Sequence, residues 1–461
     1  MPHLALLGGK PVRRKLFPAY NTIGPEEKKA VMKVLDSGVL SQYVGGWHVD
    51  FYGGPTVKRF EKAWARAFGV DYAITLNSNT SGLIAAMGAI EVGPGDEVIV
   101  SPYSMTISAS APMFYGAVPV FADIDEDIFC MSPKSIRERI TARTKAIIVV
   151  HIFGHPADMD EIMQIAKEHN LSVIEDCAQV PMAKYKGKFV GLIGDLGVFS
   201  LNYHKHIHTG EGGVVVTNNA KLAERIQLIR NHAEAVIDGK GTTDFDLPLG
   251  YNFRMTEVEA AIGNEQLKKL PGLIEKRIKN ADLLTKNLKQ FPGITPPIVK
   301  EGCQHVYYMY ALKVNKQKIG IHRNTLFQAI IAELPTAQLR ETAPIIGCGY
   351  VQPLYYQSLY HSRGKRYPYN YPQYQGQVSY APGICPVAER MHFEEVITNE
   401  YIRPSMTKAD LEDVIYAFEK IFENLNDLKE YEYKQTQKEN SGRHARHGRN
   451  AGAYAGVGQA E

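Results

Sequence analysis

"KAIIVVHIFGHPADMDEIMQIAKEHNLSVIEDCAQ", residues 145–179, carries the reading that decides the fold. It opens on an apolar, Val- and Ile-rich run (145–153). It then enters a helix-like segment, "DMDEIMQIAKEHN" (158–170), and closes on a second apolar run, "LSVIED" (171–176). Continuous apolar runs of this length, without alternation, belong to strands covered on both faces, as in parallel sheets. A strand, a helix and a strand in so short a span form a crossover unit.

The same pattern repeats outward in both directions. Further strand candidates are "YAITL" (72–76), "EVIVS" (97–101), "VPVFADI" (118–124), "LGVFSLN" (196–202) and "GGVVVTN" (212–218). Helix candidates lie at 81–90 and 220–232; in the latter Leu222, Ile226 and Ile229 share one face. This alternation implies an α/β fold with a large, doubly wound, mostly parallel sheet. From residue 256 to 288 the chain reads as a long helix, expected to bend or restart near Pro271. A strand at 305–314 and an amphipathic helix at 407–425 then indicate a second, smaller C-terminal α/β domain. The expected division is a large domain over 1–270, with an N-terminal arm, and a small domain over 271–427. The tail, 428–461, has little to bury and is expected to be disordered. The Tyr-, Pro- and Gly-rich stretch 341–382 fits neither period.

Composition narrows the function classes. Of 461 residues, 44% are hydrophobic and 22% charged, the balance of an ordinary globular chain. A net charge of +3 is small for this length and predicts no nucleic-acid partner. The tail arginines Arg443, Arg446 and Arg449 read as a solvated segment. Five scattered cysteines without CxxC spacing suggest neither a disulfide framework nor a metal site, and a reducing cytoplasm fits best. No apolar run reaches the ~20 residues of a membrane span.

The chemistry gathers where open α/β sheets bind ligands, beyond the carboxyl ends of their strands. "NSNTSG" (77–82) follows the first strand and starts a helix, so Asn79, Thr80 and free N–H groups there suit a phosphate. Asp176 and Gln179 follow the strand of 171–176. Ser200 and Lys205 follow that of 196–202, and Gly210, Gly212 and Gly213 come just behind. A phosphate cradle, an acid, a lysine and a Gly-rich turn at different strand ends describe a pyridoxal phosphate pocket. Such a pocket needs a lysine for the Schiff base and an acid to keep the pyridine nitrogen protonated.

The blocks "VFSLNYHKHIHTGEGGVVVTNN" (198–219) and "VIEDCAQVPMA" (173–183) resemble the S-x4-K-x4-GEGG and EDxAQ blocks of the DegT/DnrJ/StrS aminotransferases. The resemblance runs from about residue 4 to about 425. It implies a fold-type-I, pyridoxal phosphate-dependent transferase with Lys205 as the Schiff-base lysine. It places Asp176 at the pyridine nitrogen and Gln179 beside the ring near its hydroxyl, with Thr80 and Ser200 at the phosphate. "GYNFRMTEVEAAIG" (250–263) matches a block that sends an Asn to the neighbouring subunit's phosphate, which implies Asn252 and a homodimer with shared sites. The family's usual stacking aromatic is replaced by Met105, with Tyr103 two residues earlier, and Asn79 stands where the family usually has Gly.

The implied activity moves an amino group from glutamate or glutamine to a keto-sugar, often nucleotide-linked, or a keto-cyclitol. A sugar dehydratase, whose relatives carry His in place of the lysine, and a non-catalytic binding member are the alternatives. His204 and His206 read as polar loop residues.

Overall fold

The computed structural model describes residues 3–241, 249–338, 345–361 and 368–437. All seven strands expected before residue 220 form: β1 (Tyr72–Leu76), β2 (Glu97–Val100), β3 (Val118–Phe121), β4 (Thr144–Val150), β5 (Ser172–Asp176), β6 (Leu196–Ser200) and β7 (Gly213–Thr217). They make one sheet in the order β1-β7-β6-β5-β4-β2-β3. The pairs from β6 through β5, β4 and β2 to β3 are parallel. β7 runs antiparallel to both its neighbours, β6 and β1. Reversing β7 leaves β1 pointing the same way as β6, so the carboxyl ends of β1, β2, β4, β5 and β6 share one edge.

Helices α1 (Pro55–Phe68), α2 (Asn79–Ala89), α3 (Met159–His169) and α4 (Ala220–Arg230) cover the sheet. β6 shows that both faces are used, because successive strand residues point to opposite sides. Phe199 meets Trp64 and Phe68 of α1, with ring centroids 5.3 and 5.2 Å apart. Val198, on the other face, lies under α2 at Gly82, where an added Cβ would sit 2.6 Å from its Cγ1.

Helix α5 (Glu257–Leu288) starts in a capping box of Thr256 and Glu259. It continues as one helix through Pro271 and does not restart there. Its first half (Ala260, Leu270, Ile274) packs in the large core and its second half (Ala281, Leu284, Leu288) in a separate core. That second core belongs to a sheet of β8 (Ile294–Thr295), β9 (Tyr310–Val314), β10 (Ile346–Cys348) and β11 (Val396–Asn399), in the order β8-β9-β11-β10, all antiparallel. Helices α6 (Arg323–Glu333) and α7 (Lys408–Glu423) pack on it.

Three features depart from the expected division. Leu4 and Phe17 of the N-terminal arm lie in the small core. Leu354, Tyr355, Tyr360 and Tyr380, from the stretch that fitted neither period, lie in the large one. Residues 425–437 are helical, with Leu428 fully buried in the small core, so structure continues past the expected start of the tail. The tail arginines lie outside the described residues. No helix among the described residues is long and apolar enough to cross a membrane. All five cysteines are unpaired.

Candidate active site

Along the shared edge of strand ends lies a cavity of about 490 Å³. Its walls include Asn79 and Thr80 after β1, Met105 after β2, Asp176 and Gln179 after β5, and Ser200 and Lys205 after β6. Seven of the eight residues singled out from the sequence therefore meet in one place. The eighth, Asn252, is exposed and outside the cavity; its Oδ1 accepts a hydrogen bond from Arg254 Nε at 2.8 Å.

The start of α2 turns its first N–H groups toward the cavity wall. Ser78 caps it, its hydroxyl accepting from Ser81 N at 3.0 Å. The N–H groups of Asn79 and Thr80, first in the helix, have no intrahelical acceptor and carry the positive end of its dipole. β7 starts hard against this turn: a Cβ on Gly213 would lie 2.4 Å from Ser78 C and O. Gly210, with φ +90°, meets nothing within 4 Å and is glycine for its left-handed backbone.

Asp176 ends β5 almost fully buried. Oδ2 accepts from Ser108 Oγ at 2.8 Å and Oδ1 from Ala178 N at 3.1 Å, with Asn79 Nδ2 at 3.4 Å. These donors are all neutral, so a buried negative charge faces the cavity without an ion pair among the described residues. Lys205 is also buried, and burial pushes its amine below the usual lysine range. Its Nζ sits 4.5 Å from the centroid of the Tyr308 ring. Gln179 is fixed at both ends: Oε1 accepts from Phe153 N at 2.6 Å, and Nε2 donates to Tyr350 Oη at 3.1 Å.

The structure separates Met105 from Tyr103. Met105 stands in the cavity wall, half-exposed, whereas Tyr103 is fully buried with its ring edge-on to Phe153 and Tyr350. It also separates the two histidines flanking Lys205. His204 lines the cavity. His206 sits in the loop but is fully buried: its Nε2 bonds Val306 O at 3.1 Å, and burial drives its pKa well below the ordinary value. Ser108, Tyr308 and Tyr350 were not singled out from the sequence. Ser108 lies one turn beyond Ser104 in the segment after β2; the two tyrosines arrive from distant segments with no local signal.

Glu175, His151 and Cys177 also cluster within ligand distance of one another. Both imidazole nitrogens are already in use. Nδ1 accepts from Ala157 N at 2.9 Å, which leaves Nε2 to donate to Glu175 at 2.9 Å. This is a structural pair.

An open α/β sheet thus gathers a buried lysine, a buried acid and a helix start around one cavity at its strand ends. Residues 21–368 match the DegT/DnrJ/EryC1/StrS aminotransferase family, and the chain belongs to it. It is 32% identical over 414 residues to the spore coat polysaccharide biosynthesis protein SpsC of Bacillus subtilis, covering 88% of this chain and 97% of that protein. It is 32% identical over 436 residues to the L-glutamine:2-deoxy-scyllo-inosose aminotransferase of Streptomyces fradiae, covering 92% and 99%. The solved aminotransferase from Psychrobacter cryohalolentis superposes with a TM-score of 0.76 at 29% identity, over 89% of this chain and 100% of that one. The chain is an aminotransferase.

Proposed function

We propose that this chain is a pyridoxal phosphate-dependent aminotransferase that transfers the amino group of glutamine or glutamate to a keto-sugar or keto-cyclitol. The observation that carries the cofactor is the buried Asp176 carboxylate, held only by neutral donors, in one cavity with the buried amine of Lys205. A buried acid without a cation in direct contact is costly, and a protonated ring nitrogen would be such a cation. The donor set fits the rest of the group: Lys205 for the carbonyl carbon, Thr80, Ser200 and the α2 N–H groups for the phosphate. Met105 would pack on the ring, as a thioether can, and Gln179 would stand beside the ring hydroxyl, as the family resemblance implies. Relatives named for a glutamine-dependent reaction on a scyllo-inosose support the substrate class.

When bound, pyridoxal phosphate supplies an electron sink for the pair released when the donor's Cα–H bond breaks. Asp176 holds the proton on the ring nitrogen. Lys205 Nζ moves the proton at the donor's Cα, and its lowered pKa leaves it better able to act as a base near neutrality. Ser108 and Ala178 N hold Asp176 in place through the cycle.

Asn252 supports a homodimer reading. It lies outside its own chain's cavity, as expected of a residue that serves the neighbouring subunit. Sedimentation of the loaded protein as a monomer would refute that. For the cofactor, the purified protein should be yellow, and borohydride reduction followed by peptide mapping should place the cofactor mass on Lys205. A mass on Lys184 or Lys186, or on no lysine, would overturn the assignment. Amination of keto-sugar and keto-cyclitol acceptors, with glutamine and glutamate compared as donors, then resolves the substrate pair.

A further inference from the structure

Tyr350 belongs to the stretch that the sequence left unassigned, two residues beyond small-sheet strand β10. Its ring is set among aromatic neighbours, edge-on to Phe153 at 5.1 Å and to Tyr103 at 6.1 Å. Its hydroxyl reaches the large domain and receives Gln179 Nε2 at 3.1 Å. Phe153 N occupies the other end of the same amide at 2.6 Å. That bond identifies which end is oxygen, so the Gln179 N–H groups must point toward Tyr350 and away from Phe153. One amide hydrogen goes to Tyr350, and the second has no partner among the described residues. Gln179 lines the cavity, so this second hydrogen is the one available to a ligand there. Burial raises the Tyr350 phenol far above neutrality, so the hydroxyl stays protonated over any working pH.

From this geometry we infer that Tyr350 is a positioning residue for the reaction: it locks the Gln179 amide so that a fixed N–H faces the ring oxygen of the cofactor. The inference rests on the proposed function, because that reading puts the ring beside Gln179. It also ties the segment just past β10, which packs against the large core through Tyr350, directly to the cavity by one hydrogen bond. Phe153 N alone anchors only the oxygen of the amide. Without the phenol the NH₂ end is free to turn about its side-chain torsions.

The test uses the full-length, cofactor-loaded protein at rest and follows its visible absorbance against pH. A fixed N–H donor stabilises the ring oxygen as it gains negative charge, which favours the deprotonated state. Losing that donor makes the site hold its proton more tightly, so the titration moves to higher pH. Tyr350→Phe keeps the ring and its aromatic contacts and removes only the hydroxyl. It should shift the titration upward by about one pH unit, the scale of one hydrogen bond, with peptide mapping still placing the label on Lys205. Gln179→Ala should shift it by at least as much, and Tyr350→Phe should add nothing in the Gln179→Ala background. An unshifted titration in Tyr350→Phe would overturn the inference. So would a shift that persists undiminished in the double variant, since Tyr350 would then act by a route that bypasses Gln179. Absence of any label on Lys205 in the unmodified protein would instead defeat the proposed function, and is read in a separate measurement.

Discussion

Glu175 and Asp176 are adjacent on β5 and face opposite ways, as neighbours on a strand must. Burial alone would raise Glu175, but His151 and the N–H groups of Gly191 and Gly194 outweigh it and hold the carboxyl below its ordinary range. It pins the turn that leads into β6 and does not line the site cavity. Asp176 faces the cavity and keeps fewer, neutral partners. Glu175→Gln should therefore cost stability, about 1.5–3 kcal/mol for one lost charge-assisted bond, while protein that remains folded keeps its chemistry. Asp176→Asn should melt close to the parent but lose about 10²–10³-fold in the single-turnover rate. Equal melting and equal rates in both variants would show the two acids are misassigned. Lys205 makes a third case, with a pH signature. Its folded pKa lies below the unfolded value of about 10.4, so the unfolded chain binds the proton more tightly and the buried amine is a stability cost. That cost is fullest below the folded pKa and vanishes as pH rises through the unfolded one. Lys205→Met in the cofactor-free protein should raise the melting temperature at neutral pH, with the gain shrinking toward pH ~10; a pH-independent gain would mean packing alone. These site residues were legible because each sits in a short block beside a strand end. Tyr308, Tyr350 and the anchor at Glu175 were not, because their roles come from contacts between segments more than a dozen residues apart.

The elements divide in the same way. Strands buried on both faces write themselves as apolar runs, so all seven of the large sheet could be placed. Their direction is not written there, and the reversal of β7 is what brings β1 into line with β6. Pro271 marks a limit of another kind. A proline inside a helix forfeits one N–H bond, yet α5 continues because its two halves are anchored in two cores. The Tyr-rich stretch has no period because its chain is held by rings and irregular bonds: Tyr355, Tyr360 and Tyr380 around Phe121, and Tyr380 Oη donating to Pro119 O at 2.6 Å. β7 approaches the start of α2 closely at the site. Gly213→Ala would force backbone apart there, since a Cβ would meet Ser78 C and O at 2.4 Å. It should cost about 1–3 kcal/mol by overpacking and weaken cofactor binding by displacing Thr80. Gly272→Ala, in α5 with nothing within 4 Å of its new Cβ, should stabilise by about 0.5–1 kcal/mol and leave binding alone. Melting curves and cofactor titrations on the pair separate the two; equal effects would refute the role given to Gly213.

At the scale of the whole molecule, the first and last described segments are tied together through helix α6. Glu333, near its C-terminal end, is fully buried and accepts from Ala5 N at 2.8 Å and Val12 N at 3.0 Å, which fixes the N-terminal arm. Lys420 of α7 pairs with the same carboxylate at 2.8 Å and reaches Lys10 O at 2.7 Å. At the other end of α6, Glu432 accepts from His322 N at 2.8 Å and from the hydroxyl of Thr325. A carboxylate there is well placed, since it meets unpaired N–H groups and the positive end of the helix dipole. Leu428, one turn earlier, fills the small core. The composition of the segment after 428 gave no sign of this, because one buried leucine and one capping glutamate are too few to raise its average hydrophobicity. The consequence is a sharp dependence on where the chain is cut. A chain ending at 437 keeps all of these contacts and should melt with the full-length protein. A chain ending at 427 loses the burial of Leu428, about 1.5–3 kcal/mol, and both bonds to Glu432, each about 1.5–3 kcal/mol. It should melt several degrees lower. Because α6 also carries Glu333, limited proteolysis should then cut first in the N-terminal arm, at sites protected in the longer chain. Equal melting of the two truncated chains, with the arm equally protected, would show that the segment 428–437 lies on the small domain without supporting it.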